Sequence, residues 1–173
     1  ITYILAITLI GGLLILLIPR NKENLIRYFG LLISVVVFII SLIIYFQFDK
    51  SKVGFQFNHK VFWIQNLNVS YSVGIDGISL LLLLLTTFLT PLTLISSWKA
   101  IDQKVKEFTF FMVMLELGMV GVFVALDMFL FYVFWEAMLI PMYFIIGIWG
   151  GERKIYASLK FFIYTMAGSL LML

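Results

Sequence analysis

The stretch that decides the fold is residues 108–151, FTFFMVMLELGMVGVFVALDMFLFYVFWEAMLIPMYFIIGIWGG, in which only Glu116, Asp127 and Glu136 are charged. At 1.5 Å per residue it supplies about 66 Å of helix, enough for two crossings of a hydrocarbon layer about 30 Å thick. Because backbone groups in lipid must pair within their own segment, the stretch predicts two transmembrane helices. Asp127 separates them and is suited to cap the second.

Four more runs are equally apolar. Together with the first two they predict an all-α, polytopic transmembrane helix bundle with about six helices present, the last one truncated. The four runs are 1–19, 28–48 and 77–97, which carry no charge, and 155–173, which carries only Lys160. None of them shows the alternation of a transmembrane β-strand.

The composition excludes several classes of protein. Of 173 residues, 63% are hydrophobic and 12% are charged, whereas soluble domains carry about 25% charged residues. The absence of cysteine excludes disulfides, thiol catalysis and thiolate metal sites, and the single His59 excludes a histidine-rich metal cluster. Because the sequence has no phosphate-binding glycine loop, haem ligand pair or iron–sulfur spacing, we expect no cofactor bound by this chain.

The polar segment 49–76 differs from the apolar runs. It alternates with a period of two around residues 53–57 and 69–73, which predicts a surface β-hairpin or an extended loop at the membrane face. We expect Trp63 and Tyr71 to lie at the interface and Asp76 to cap the third helix.

Lysine and arginine placement predicts the orientation. One set of loops carries eight basic residues and the other three, so the positive-inside rule places the first set on the cytoplasmic, matrix or stromal side. The first set is Arg20, Lys22, Arg27, Lys99, Lys104, Lys106, Arg153 and Lys154, and the second is Lys50, Lys52 and Lys60.

Glu136 is the strongest candidate for proton transfer. It lies nine residues after Asp127, about 13 Å into the membrane, where an ionisable group is costly. Pro141 leaves the carbonyl of Ala137 without its helical donor and predicts a kink in the same helix. The alternative is a structural glutamate that hydrogen-bonds across helices.

Lys160 and Glu116 are the other two candidates. Lys160 lies roughly 10 Å deep and either reaches into the bundle or extends back to the basic face. Because its depth differs from that of Glu136 by about 10 Å, we do not expect the two to pair directly. Glu116 lies about 12 Å from the basic face and serves either in proton transfer or in an interhelical hydrogen bond.

Three stretches, in this order, closely resemble the subunit 4, M-type family of antiporter-like membrane subunits of complex I. They are GIDGISL at 74–80, ALDMFLFYVFWEAMLIPMY at 125–143 and KFFIYT at 160–165. The resemblance covers nearly the whole chain, and the segment FWEAMLIPMY is its most specific part.

The resemblance implies a roughly fourteen-helix antiporter-like fold built from two inverted repeats. It implies that Glu136 matches the acidic residue of helix five, which pairs with a lysine on helix seven. Lys160 then matches a lysine of helix six, and Glu116 an acidic position of helix four. Residues 1–107 would hold three transmembrane helices with the 49–76 loop, and 108–173 would begin the first repeat.

The implied function is proton translocation in the membrane arm of NADH:ubiquinone oxidoreductase, driven by quinone reduction elsewhere in the complex. Ubiquinone and NADH are used by the whole complex. The expected partners are other membrane-arm subunits, lipids and a missing C-terminal remainder of the subunit, and nucleic acid is not expected. Helix seven and the second repeat are absent, so this stretch alone cannot complete a proton path.

Several alternatives remain open at this point. A type 5 or type 2 subunit, a photosynthetic counterpart and a multi-subunit cation/proton antiporter are related possibilities. A structural membrane scaffold that does not pump and a stand-alone secondary transporter belong to other classes. A composition rich in Ile, Phe and Tyr favours the mitochondrial inner membrane over a bacterial plasma membrane.

Overall fold

The computed structural model describes residues 1–64 and 69–172, which form six helices and one β-hairpin. Residues 65–68, within the segment 49–76 predicted as a hairpin or extended loop, and Leu173, at the end of the last predicted span, lie outside the described residues. In chain order the elements are α1 (Thr2–Leu17), α2 (Glu23–Gln47), β1 (Gln56–Ile64), β2 (Val69–Ile75), α3 (Gly77–Ser96), α4 (Val105–Val124), α5 (Met128–Trp149) and α6 (Lys154–Met172).

The prediction of a polytopic helical membrane protein is confirmed. Among the described residues, α2 to α6 are each long and apolar enough to cross a membrane. Helix α1 has 16 residues and is therefore shorter than the predicted span 1–19. At 1.5 Å per residue it provides about 24 Å of helix. Helix α2 is longer than predicted and begins at Glu23, so its first turns carry Arg27 outside the apolar run.

Helices α1 to α4 form a bundle with a shared core, α5 packs on α4, and α6 packs on α5. The core of the bundle is aliphatic and fully buried, and includes Ile4, Ile15, Ile26, Val37, Leu83, Val113 and Val120. Hydroxyl groups inside the bundle are hydrogen-bonded: Thr8 donates to the carbonyl of Ile4 at 2.8 Å, and Ser41 lies 2.8 Å from Thr87. The bundle therefore satisfies these polar groups internally, as lipid requires.

The prediction of a hairpin in 49–76 is confirmed. Strands β1 and β2 pair antiparallel, with His59 opposite Val73 and Val61 opposite Tyr71. Tyr71 donates a hydrogen bond to Thr2 at 3.2 Å, so the hairpin is fastened to the first turn of α1. Trp63 is 58% exposed, in keeping with a position at the membrane interface.

Asp127 joins the hairpin to α5. Its carboxylate caps the helix by accepting from the backbone N–H groups of Phe129 and Leu130 at 3.0 and 3.3 Å. The same carboxylate accepts from the backbone N–H and the hydroxyl of Ser70 in β2 at 3.0 and 3.1 Å. The cap predicted from the sequence is confirmed, and it also fixes β2 over the start of α5.

The loops of the basic side are joined to each other. Arg27 donates to the carbonyl of Ile101 at 2.8 Å, and Lys106 donates to the carbonyl of Leu16 at 2.7 Å. Arg20 pairs with Glu107 at 2.6 Å. The basic residues that predict the orientation thus also connect α1 and α2 to the start of α4.

We predict that Asp127→Ala lowers the free energy of unfolding by about 1–3 kcal/mol, because both a helix cap and the contact with β2 are lost. Hydrogen exchange at the Ser70 amide should also accelerate. Asp76→Ala is the matched control, because Asp76 caps α3 by accepting from Ser79 and makes no contact with the hairpin amides of β2. Equal exchange at Ser70 in the two variants would contradict the connection.

The effect of Asp127→Ala should depend on pH. Partial burial raises the pKa of Asp127, but hydrogen bonds from Ser70, Leu130 and Phe129 outweigh it, so the pKa lies below its usual value. A carboxyl with a lowered pKa stabilises the fold above the pKa of the unfolded state, about 3.9, and loses that contribution as the pH falls. The stability difference between wild type and variant should therefore shrink below about pH 4.

Candidate functional site

A glycine face of α4 brings α5 close. A Cβ atom at Gly118 would overlap Met138, and one at Gly121 would overlap the ring of Phe134. Further along the same pair of helices, Phe111 and Phe144 stack with ring centroids 4.9 Å apart. The N-terminal half of α5, which carries Glu136, is therefore fixed against α4 by close packing.

The C-terminal end of α5 is fixed as well. The indole N–H of Trp149 donates to the carbonyl of Gln103 at 2.9 Å, and its ring lies edge-on to Phe108 at 5.2 Å. Lys154 donates to the carbonyl of Ile148 at 2.7 Å, which satisfies one of the last acceptors of the helix. With Asp127 at the other end, α5 is held along its whole length.

Glu136 lies where α5 faces α6. Its side chain is half-buried, and its Oε1 accepts a hydrogen bond from the hydroxyl of Ser169 on α6. The preceding residues on α5, 131–135, are bulky and mostly apolar, so Ser169 gives Glu136 a polar partner in largely apolar surroundings. The two helices are joined by a short turn and pack against each other.

Glu116 is fully buried, with 0% of its surface exposed, and neither carboxylate oxygen has a hydrogen-bond partner among the described residues. It lies on the face of α4 that carries Thr109, which packs against Gly30 of α2. The face of α4 that carries Glu116 is nearly opposite the glycine face of α4 that packs against α5. The interhelical hydrogen bond considered for Glu116 is absent within 1–64 and 69–172, and the structure does not bring Glu116 to Glu136.

Lys160 lies on the side of α6 that faces away from α5. Its Nζ is 5.7 Å from the ring of Tyr156 and 5.8 Å from the ring of Tyr164, one helical turn to either side. Within the part of the chain that the structure describes, Lys160 forms no ion pair. As expected from the difference in depth, Lys160 and Glu136 do not pair directly.

The sequence reasoning missed Ser169. A serine in an apolar helix ordinarily bonds to its own backbone, and Ser169 does so with the carbonyl of Met166 at 3.0 Å. Its second contact, with Glu136, depends on the register of two helices. The signal in the sequence was that Glu136 and Ser169 lie at similar depths in two antiparallel neighbouring helices.

Pro141 lies within α5, and the structure keeps the helix continuous through it from Met128 to Trp149. Within the described ranges, no cluster of three or more His, Cys, Asp or Glu side chains is arranged to hold a metal ion. The candidate residues carry carboxyl, hydroxyl and ammonium groups, whose chemistry is hydrogen bonding and proton exchange.

Comparison with known families identifies the family of this chain. The family described as "NADH-ubiquinone oxidoreductase chain 4, amino terminus" matches residues 3–125. The chain belongs to the NADH-ubiquinone oxidoreductase chain 4 family. A second family, described as "NADH:quinone oxidoreductase/Mrp antiporter, TM", matches residues 125–173.

Relatives of this chain 4 family occur in plants, algae and bacteria. The chain is 44% identical over 165 residues to NADH-ubiquinone oxidoreductase chain 4 of Arabidopsis thaliana, covering 95% of this chain and 33% of the relative. It is 50% identical over 155 residues to NADH-quinone oxidoreductase subunit M of Rhodobacter capsulatus, covering 90% and 30%. The chain thus spans about a third of the length of these relatives.

The fold agrees with this family assignment. The structure superimposes with a TM-score of 0.80 on a chain of the solved structure "Respiratory complex I from Thermus thermophilus with bound NADH", at 25% identity. The superposition covers 96% of this chain and 33% of that one. The antiporter-like membrane fold implied by the resemblance is confirmed.

We predict that Gly121→Ala destabilises the chain 4 fold by about 1–3 kcal/mol, because the new methyl group would displace the ring of Phe134. The measurement is the midpoint of thermal unfolding in detergent. Gly77→Ala is the control, since a Cβ at Gly77 meets nothing within 4 Å. A Gly121 variant as stable as the Gly77 variant would show that α4 and α5 are not closely packed at this level.

Proposed function

We propose that the chain is part of a proton-translocating membrane-arm subunit of NADH:ubiquinone oxidoreductase, in which Glu136 exchanges protons during turnover. The observation that carries the proposal is the position of Glu136 in a chain of this family. Its carboxyl group lies about 13 Å from the start of a membrane-spanning helix, too deep to reach water by extending its side chain.

The packing around Glu136 supports the proposal. A group that exchanges protons must come within hydrogen-bond reach of its partners, and α5 is positioned by Asp127 at one end, by Trp149 at the other and by the glycine face of α4 between them. The adjacent hydroxyl of Ser169 gives the carboxyl group a polar neighbour in an apolar interface. A carboxyl group in such surroundings can take up and release a proton.

Lys160 and Glu116 complete the proposed set of proton-transfer residues. Both lie inside membrane-spanning helices, at about 10 and 12 Å from the basic side. Neither contacts Glu136 within the described residues, so transfer between the three would require water or groups from the remaining two-thirds of the subunit. Intramembrane ionisable residues commonly line such proton relays.

The wider context follows from the family. We propose that this chain binds no cofactor, that NADH and ubiquinone react elsewhere in the complex, and that the partners are other membrane-arm subunits, lipids and the remainder of the subunit. The relatives from plants and algae favour the mitochondrial inner membrane, and those from bacteria keep the plasma membrane as the alternative. We also propose that residues 108–173 begin the first antiporter-like repeat, after three helices in 1–107.

The rival function is a scaffold that holds neighbouring subunits and moves no protons. It draws support from the fixed position of α5, which a structural role would also need. The two functions differ in what they require of the Glu136 carboxyl group, because a scaffold needs only a residue of that shape.

We predict that Glu136→Gln leaves the complex assembled but lowers both proton pumping and NADH oxidation at least tenfold, since the amide cannot exchange a proton at neutral pH. The measurements are proton uptake and NADH oxidation in membrane vesicles, with assembly checked on a native gel. Glu152→Gln, the same chemical change in the exposed α5–α6 turn, is the matched control and should be silent. Normal pumping by an assembled Glu136→Gln complex would favour the scaffold.

We predict that Glu116→Met raises the free energy of unfolding by about 1–3 kcal/mol, because a buried carboxyl group without a hydrogen-bond partner among the described residues gives way to an apolar side chain. If Glu116 takes part in proton transfer, the more stable variant should also pump more slowly. Thermal unfolding and proton uptake are measured on the same preparation. A variant that is less stable and pumps normally would show that Glu116 has a structural role instead.

A further inference from the structure

The interface between α5 and α6 has a regular register. Gly147 lies against Ser158, and the rings of Tyr143 and Phe162 meet edge-on at 5.6 Å. The step from the first pair to the second is four residues on each helix. It runs from Gly147 back to Tyr143 on α5 and from Ser158 forward to Phe162 on α6.

Glu136 and Ser169 continue this register. Each lies seven residues beyond the Tyr143–Phe162 pair, which is two helical turns on the same face. Their contact is therefore set by the packing of two antiparallel helices. The three successive pairs along the interface all fit the same register. Ser169 is only 5% exposed, so its hydroxyl group is held between the helices.

We propose that Ser169 is a positioning residue for Glu136, whose hydroxyl group keeps the carboxyl group hydrogen-bonded both before and after it exchanges a proton. The proposal rests on the proposed function of Glu136. It assigns Ser169 a role through Glu136 and no proton transfer of its own.

The two acceptors around Ser169 make this role physically specific. Its oxygen lies 3.0 Å from the carbonyl of Met166 and also contacts Oε1 of Glu136. A hydroxyl group has one proton to donate and lone pairs to accept. Facing a carboxylate, Ser169 donates to Glu136. Facing a protonated carboxyl group, it accepts from Glu136 and turns its own proton to Met166.

This rotation removes a cost that proton exchange would otherwise carry. A buried polar group left without a hydrogen bond costs about 1–3 kcal/mol, and more when it is charged. Because Ser169 can bond to Glu136 in either protonation state, neither state is left unsatisfied on this side. Lys160, on the opposite side of α6, is turned away from this contact.

Ser158 provides a close control. It is 1% exposed, lies in the same interface and donates to the carbonyl of Ile155 at 3.0 Å, just as Ser169 bonds to Met166 at 3.0 Å. The two serines differ in their partner across the interface, which is Gly147 for Ser158 and the Glu136 carboxyl group for Ser169. Removing either hydroxyl group thus makes the same local change with a different consequence for Glu136.

The experiment compares Ser169→Ala, Ser169→Thr and Ser158→Ala in the complete subunit within its assembled complex. The rates of proton pumping and of NADH oxidation are each measured, together with the infrared carbonyl stretch of Glu136, identified as the band lost in Glu136→Gln. We expect Ser169→Ala to lower pumping roughly threefold to tenfold and to shift the band. Ser169→Thr should restore both readouts, and Ser158→Ala should change neither.

The outcomes separate this proposal from the proposed function. If Ser169→Ala behaves like Ser158→Ala in both readouts, the positioning role is overturned even where Glu136→Gln abolishes pumping. If Glu136→Gln pumps normally, the proposed function fails, and the positioning role fails with it even if the band still shifts. Should Ser169→Ala not assemble, Ser169→Cys replaces it with the same expectations, because a thiol is of similar size and a weak donor.

Discussion

The constraint on which the whole structure depends is that hydrocarbon offers no hydrogen bonds. Backbone groups must then pair within each segment, which produces α2 to α6 as continuous helices and confines the β-hairpin to the membrane face. Side chains obey the same rule, as the Ser41–Thr87 contact shows inside the bundle. A carboxyl group deep in a membrane-spanning helix is therefore costly, and it is expected to have either a hydrogen-bond partner or a functional role.

The three acidic residues of the region 108–151 resolve this constraint in different ways. Asp127 lies at the membrane face and accepts four hydrogen bonds, which join α5 to the hairpin. Glu136 lies deep and has one hydroxyl partner on α6. Glu116 is buried without a partner among the described residues. Asp127 has a structural role at the start of α5. Glu136 makes the interhelical bond that a structural glutamate would also make, so its proposed proton transfer rests on its depth and its place in the family motif. That of Glu116 rests on its burial without a hydrogen-bond partner among the described residues.

Hydropathy and periodicity were enough to predict the helices, the hairpin and the Asp76 and Asp127 caps, because these depend on residues close in sequence. The motif around Glu136 was enough to indicate the family. The contacts between distant residues were not predictable in the same way. Whether Lys160 faces α5 and which residue meets Glu136 depend on the rotation of α6, and the link from Asp127 to Ser70 depends on where the hairpin folds back. The sequence pattern of a single helix does not show how that helix is rotated against its neighbours or which distant residues it contacts.

The proposed proton exchange requires that the carboxyl group of Glu136 change its protonation state during turnover. The most direct measurement is an infrared difference spectrum of the complete complex in membranes, recorded between rest and steady NADH oxidation. If Glu136 exchanges protons, we expect a carbonyl band that changes during turnover, returns at rest and is missing from Glu136→Gln. A Glu136 band of constant intensity in a complex that is pumping protons would contradict it.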